Sequence, residues 1–267
     1  MSDKIREPKR IIYYKDTENE DYAGTNIDTK AIGADFPFAP TGLIWKFFAF
    51  IAYYVIAIPI VFFYCYVVCG YRVKNRKAIR KIRKSGFFLY ANHSHFTDAF
   101  LAPIVAFPKR AYVIVGPDTV SIKGLRNFVQ MVGAIPIPQS LRGMASFLNA
   151  VRLRAEQKCC ISVFPEAHIW SYCTFLRPFK SGSFRYPVSF GLPSVAVAVT
   201  YQQRKLPFIK QPKRTVFISE PFYPDDTLSQ KEAQRKLQSE VETYLKEKLE
   251  TCSVYKYYDY RESEADA

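Results

Sequence analysis

His93 and Asp98 stand five residues apart in the stretch NHSHFTD, directly after the apolar run Phe87 to Tyr90. A histidine can take a proton from a hydroxyl while a carboxylate on its other ring nitrogen fixes the tautomer and steadies the imidazolium. No serine nucleophile is needed, because an acceptor alcohol can itself attack once deprotonated. The chain holds only three histidines, and His95 lies in the same stretch. Histidine is the side chain whose ordinary titration falls near neutral pH, so acid–base chemistry is expected here. Two other readings stay open on these residues. His93, His95 and Asp98 could ligate a metal ion, or Asn92 or Thr97 could cap a helix with the histidines merely packed.

A second block repeats the pattern. In CISVFPEAH an apolar run ends at Pro165, and Glu166 and the third histidine, His168, follow. Glu166 could simply begin a helix, yet two charged sites beside histidines, each at a strand end, favour a shared function. Downstream, FLRPFKSGSF brings Arg177 and Lys180 next to a glycine, a combination suited to a phosphate.

Elements must bring these blocks together. The runs FFLYA, AYVIVG, VGAIPIP, CISVF, SVAVAVTY and TVFIS read as buried strands. Residues 98 to 107, 121 to 130 and 141 to 157 read as helices, the last with Leu141, Met144, Leu148, Val151 and Ala155 on one face. A closing amphipathic helix over residues 228 to 250 repeats Ala233, Leu237, Val241, Tyr244, Leu245 and Leu249. The fold class expected is α/β: a mixed, largely parallel sheet flanked by helices, preceded by an N-terminal membrane-embedded helical segment. Open sheets of this kind bind ligands beyond the carboxyl ends of their strands, where both blocks would lie.

With 49% hydrophobic residues in 267, the chain can bury a full core. Residues 1–40 mix charge with Asn, Gly and Pro and read as a flexible lead-in. Residues 41–84 read as a membrane anchor and basic juxtamembrane segment. Phe47 to Tyr71 carries no charge, and about 20 apolar residues suffice to cross a bilayer core. Pro59 could divide that helix into two limbs. Eight Lys or Arg follow between Arg72 and Lys84 with no acid among them. This placement suggests a cell-membrane protein whose catalytic domain, residues 85–260, faces the cytoplasm. The same cluster would attract anionic membrane lipids. The six cysteines have no CxxC spacing and read as reduced thiols.

NHSHFTD resembles the NHxxxxD motif of the glycerolipid acyltransferases, and FPEAH resembles their FPEGT block. VGAIPIP stands where that family has a Gly-x-Ile strand. RPFKSGSF and GLPSVAVAVTY resemble its later PFKxG and VPxxPV segments, so the likeness runs over about residues 84 to 220 in order. The nearest resemblance is to the bacterial 1-acylglycerol-3-phosphate O-acyltransferases. It implies transfer of a fatty acyl group from acyl-CoA or acyl carrier protein to a lysophospholipid acceptor, forming phosphatidic acid. His93 would be the general base, Asp98 its orienting partner, and Asn92 and Glu166 substrate-binding residues. No cofactor, no metal and no nucleic acid are implied.

The sequence departs from that pattern in places. Ala167, His168 and Ile169 replace the customary Gly-Thr-Arg, and Gln139 and Ser140 stand where an arginine often closes the Gly-x-Ile block. Arg142, Arg177 and Lys180 are therefore expected to share the acceptor's phosphate. Pro187 lies where a helix would normally run. A different lysolipid or lipid acceptor fits these departures too. Outside the family reading, a metal-dependent hydrolase would use His93, His95, Asp98 and His168, and a non-catalytic basic module would use only the charge.

Overall fold

The computed structural model describes residues 6–22, 28–205 and 209–263. In chain order the strands are β1 (Arg10–Tyr14), β2 (Arg72–Lys74), β3 (Phe87–Ala91), β4 (Ala111–Val115), β5 (Ala134–Pro136), β6 (Cys160–Val163), β7 (Ser194–Gln202), β8 (Lys213–Ile218) and β9 (Tyr258–Glu262). The helices are α1 (Leu43–Val68), α2 (Lys77–Lys81), α3 (Phe96–Ala106), α4 (Arg126–Met131), α5 (Leu141–Glu156), α6 (Arg185–Phe190) and α7 (Gln230–Cys252).

Seven strands form one sheet in the order β2-β8-β7-β3-β6-β4-β5. All neighbours are parallel except β7 and β8, so the sheet is mixed and largely parallel, as the strand–helix alternation implies. β3 and β6 are buried along their whole length. A strand covered on both faces reads as a continuous apolar run rather than an alternating one. β7 shows the two faces directly. Val195, Val197, Val199 and Tyr201 join a core shared with Val61 and Cys65 of α1 and with α3. Ala196 and Ala198 face a second core containing Phe147 and Val151 of α5 and Leu237, Val241 and Leu245 of α7. Ser229 and Glu232 close the start of α7 with a reciprocal capping box.

Three elements depart from the sequence reading. The lead-in is not loose: β1 pairs in parallel with β9 in a separate two-stranded sheet, and Ile32, Phe36 and Phe38 are buried in the second core. Isolated apolar residues without a period carried that packing, which is why periodicity missed it. The basic stretch after α1 is built into the fold. β2 pairs with β8 at the edge of the main sheet, and α2 follows it. On α5 the inward face is Phe147, Ala150, Val151, Arg154 and Ala155, while Leu141 is fully in solvent.

Pro59 does not split α1. The turns at Ile51–Ala57 and Tyr64–Val68 widen to the π form, and the helix continues through the proline. The wide turn just before Pro59 relieves the clash its ring would make with the preceding carbonyls. Pro187 is likewise accommodated, lying in the first turn of α6, where a missing N–H costs least. α1 buries Ala49, Ala52, Tyr53, Ile58, Val61 and Cys65 against the domain. Its outer side exposes Phe47, Phe48, Val55, Ile60, Phe63 and Val67. The Tyr53 hydroxyl accepts from the amide of Ala111 at 2.9 Å, fixing the helix to the start of β4.

Candidate active site

Because β3 and β6 pair in parallel, with Tyr90 opposite Val163, the chain leaves both strands at one level and one edge. The two blocks therefore meet. The His93 ring stacks on Phe164 with centroids 4.3 Å apart and planes inclined by 19°. His93 Nδ1 lies 3.3 Å from Asp98 Oδ2. Asp98 is fully buried, and the same oxygen accepts from the amides of Ser94 at 2.6 Å and His95 at 2.7 Å. An ionised carboxylate only accepts, so His93 Nδ1 carries the proton and Nε2 keeps its lone pair. That is the tautomer a general base needs.

His95 does different work. Its Nδ1 accepts from the amide of Thr97 at 3.2 Å and lies 2.8 Å from the Thr97 hydroxyl, capping α3. Burial first, and then the Arg214 guanidinium, push its imidazole down to about 4. It stays neutral and holds the turn.

Glu166 and Arg177 are both buried and paired, with Arg177 Nη2 2.6 Å from Glu166 Oε2. Arg177 also donates to the carbonyls of His168 and His93, the latter at 3.4 Å, and its guanidinium sits 5.0 Å over the Trp170 ring. Burial pushes the Glu166 carboxyl above its ordinary range, against the opposing pull of Arg177. The pair thus ties the two loops together. Glu166 and Arg177, both expected to bind substrate, face each other out of solvent.

Asn92, also expected to bind substrate, is held by β7. Its Oδ1 accepts from Val199 N at 2.8 Å and its Nδ2 donates to Val199 O at 3.2 Å, so the amide anchors the loop to β7. Lys180 is exposed, 3.5 Å from Glu18, and its amide donates to Pro165 O at 2.8 Å, which keeps it beside the second block. Arg142 is exposed in the first turn of α5, after β5. β5 stands three strands from β3, about 14 Å at the usual strand spacing. The structure does not bring Arg142 to the others.

Several contributors escaped the sequence reading. Arg214 on β8 is buried, donates to the hydroxyls of Thr97 at 3.1 Å and Tyr71 at 3.3 Å, and braces the cap of α3 from below. It follows Lys210 and Lys213 and so reads as one more solvated cation. The Tyr201 hydroxyl lies 2.7 Å from Ser94 Oγ. Trp170 donates its amide to His93 O at 3.3 Å and its ring N–H to Glu20 O at 2.7 Å, inside a ring of Tyr14, Tyr22, Phe175 and Tyr260. Ala167 has φ of 66°, the left-handed region that explains why a glycine suits this place.

The metal reading would draw on His93, His95, Asp98 and His168. His95 Nδ1 is taken by the cap, and His168 faces Asp21 at 3.9 Å. Among the described residues no three His, Cys, Asp or Glu side chains form a cluster able to hold an ion.

A family model described as acyltransferase matches residues 70–200, a span that contains His93, Asp98, Glu166 and Arg177 but not Arg214. Among solved structures, the crystal structure of the 1-acyl-sn-glycerophosphate (LPA) acyltransferase PlsC from Thermotoga maritima is similar. The TM-score is 0.51 at 17% identity, over 78% of this chain and 94% of that one. At that identity the likeness concerns the fold. Among curated proteins none matches this chain.

Proposed function

We propose that this chain, whose residues 70–200 match a family model described as acyltransferase, is an enzyme of the glycerolipid type that acylates the free hydroxyl of 1-acylglycerol 3-phosphate. The product would be phosphatidic acid, and the donor a thioester of coenzyme A or acyl carrier protein. The observation that carries the reading is the contact of His93 Nδ1 with a buried, triply engaged Asp98 oxygen.

His93 Nε2 removes the acceptor's hydroxyl proton as that oxygen attacks the thioester carbonyl. Asp98 balances the imidazolium so formed. The carbon–sulfur bond then breaks, and the departing thiolate takes the proton from His93, leaving a free thiol and a new ester. A thioester already has a good leaving group, so positioning and proton removal supply much of the acceleration. With Arg177 turned inward, the exposed Lys180 is the cation best placed for the acceptor's phosphate.

The outer side of α1 supports docking on a membrane, where a lysolipid acceptor resides. Its inner face is held by the domain from Ala49 to Cys65, so the helix meets lipid along its length. The basic residues from Arg72 to Lys84 favour the cytoplasmic side.

The test uses purified protein in nonionic detergent, acyl-CoA and acyl carrier protein donors in parallel, and a panel of lysolipids read by mass spectrometry. Phosphatidic acid as the preferred product is expected. Transfer to a phosphate-free lysolipid alone overturns the acceptor, and no transfer from either donor overturns the reaction.

A further inference from the structure

Cations also gather far from His93. At the opposite edge of the sheet, where β4 and β5 begin, a cavity of about 250 Å³ opens beside the first turns of α1. Trp45, Lys46, Arg110, Tyr112, Arg154 and Gln157 line it, and no acidic residue does. None of its three cations forms an ion pair among the described residues.

Both guanidiniums lie over the Tyr112 ring, Arg154 at 4.8 Å and Arg110 at 5.2 Å from its centroid. Arg154 is only 8% exposed. Its Nη1 donates to Gln157 Oε1 at 2.9 Å, and its Nε has no partner. Arg110 donates to the carbonyls of Ala49 and Met131, and its Nε is also without a partner. Two like charges are thus held near one another, one of them buried, with unused donors and no counter-charge. Burying a charge without its opposite is costly, so an anion entering this cavity gains both the field and the free N–H groups.

The wall tells what kind of anion. Trp45, Ala49 and Phe50 of α1 form one side of the cavity, and the neighbouring Leu43, Ile44, Phe47 and Phe48 are exposed on the side of the helix that meets lipid. The volume is below that of sites enclosing whole drug-sized ligands, and it suits a headgroup whose chains stay outside. We propose that this cavity binds the phosphate of an anionic membrane phospholipid, its acyl chains lying along Phe47 and Phe48, at a site separate from the acyl-transfer centre. The inference rests on α1 meeting lipid and stands independently of which acceptor is acylated.

The test titrates the full chain, in nonionic detergent, with dihexanoylphosphatidylglycerol, dihexanoylphosphatidylcholine and inorganic phosphate. Binding is read from melting temperature and from tryptophan fluorescence, since Trp45 lines the cavity and the other tryptophan, Trp170, is fully buried. The parent should bind the anionic lipid about tenfold or more tightly than the zwitterionic one, as charge-assisted hydrogen bonds imply. Arg154→Met should abolish that preference. Lys46→Ala, an exposed position whose loss leaves the fold intact, should weaken it several-fold at an unchanged lipid-free melting temperature. Equal binding of the two lipids overturns the proposal. So does an undiminished preference in both variants, which would place the lipid elsewhere. Inorganic phosphate binding as tightly as the lipid would make this a soluble-anion site and overturn the lipid assignment.

Discussion

Acid should loosen this fold through His95. The folded ring titrates near 4, because burial and Arg214 disfavour its charged form, while the ordinary value is 6.5. As pH falls through that window the unfolded chain takes up a proton that the folded chain refuses, so the unfolded state binds more protons and stability falls with pH. Each unit of difference is about 1.4 kcal/mol, so this single ring accounts for a loss of about 3 kcal/mol between about pH 6.5 and pH 4. The perturbation is His95→Asn, which keeps an acceptor for the Thr97 amide and removes the titration. Urea unfolding of the full chain in nonionic detergent, at about pH 7.5 and about pH 4.5, gives the parent-to-variant gap at each. That gap should shift by about 2 to 3 kcal/mol in favour of the variant at the lower pH. Acyl transfer at neutral pH should change little, because His95 braces the turn and does not take the substrate's proton. An identical gap at both pH values would refute the argument, since His95 would then titrate alike in the two states.

Other expectations follow from the same geometry. His93→Ala should lower kcat by about 10²- to 10⁴-fold while the melting temperature holds, and Asp98→Asn should lower both, since its Oδ2 accepts from three donors. Glu166→Ala and Arg177→Ala should each cost about 3 to 5 kcal/mol in chemical unfolding, because each strands a buried charge. The pair Glu166→Gln with Arg177→Met should cost less than the two singles added, and strict additivity would argue against the ion pair. Ala167→Gly should raise stability by up to about 1 kcal/mol, relief of positive φ outweighing the looser unfolded chain. Ending the chain after Tyr257 should expose Trp170, read as a red-shifted emission, and lower kcat with it.

Much of the site could be read because the sheet is parallel. Apolar runs such as CISV mark strands buried on both faces, and in a parallel sheet whatever follows two adjacent strands must share an edge. That logic brought His93, Asp98 and Glu166 together from composition and order alone. It could not say which charged groups face inward. Arg177 and Lys180 are three residues apart and look equivalent as letters, yet one is buried against Glu166 and the other lies in solvent. Arg214 was hidden by its basic neighbours. Long-range partnerships such as Trp170 with Glu20 have no local pattern, because an aromatic cage is assembled from four separate segments of chain.

The small sheet of β1 and β9 bears on how the molecule is made. Arg10 pairs with Tyr258, so β1 waits for the main sheet and α7 to be synthesised before it meets its partner. Tyr14 and Tyr260 close over Trp170 only when that pairing forms, and Trp170 holds the carbonyl of His93. A nascent chain can therefore form α1 and build much of the main sheet while the loop bearing His93 is still uncovered. Closure over the His93 loop waits on β9, however early the main sheet has formed.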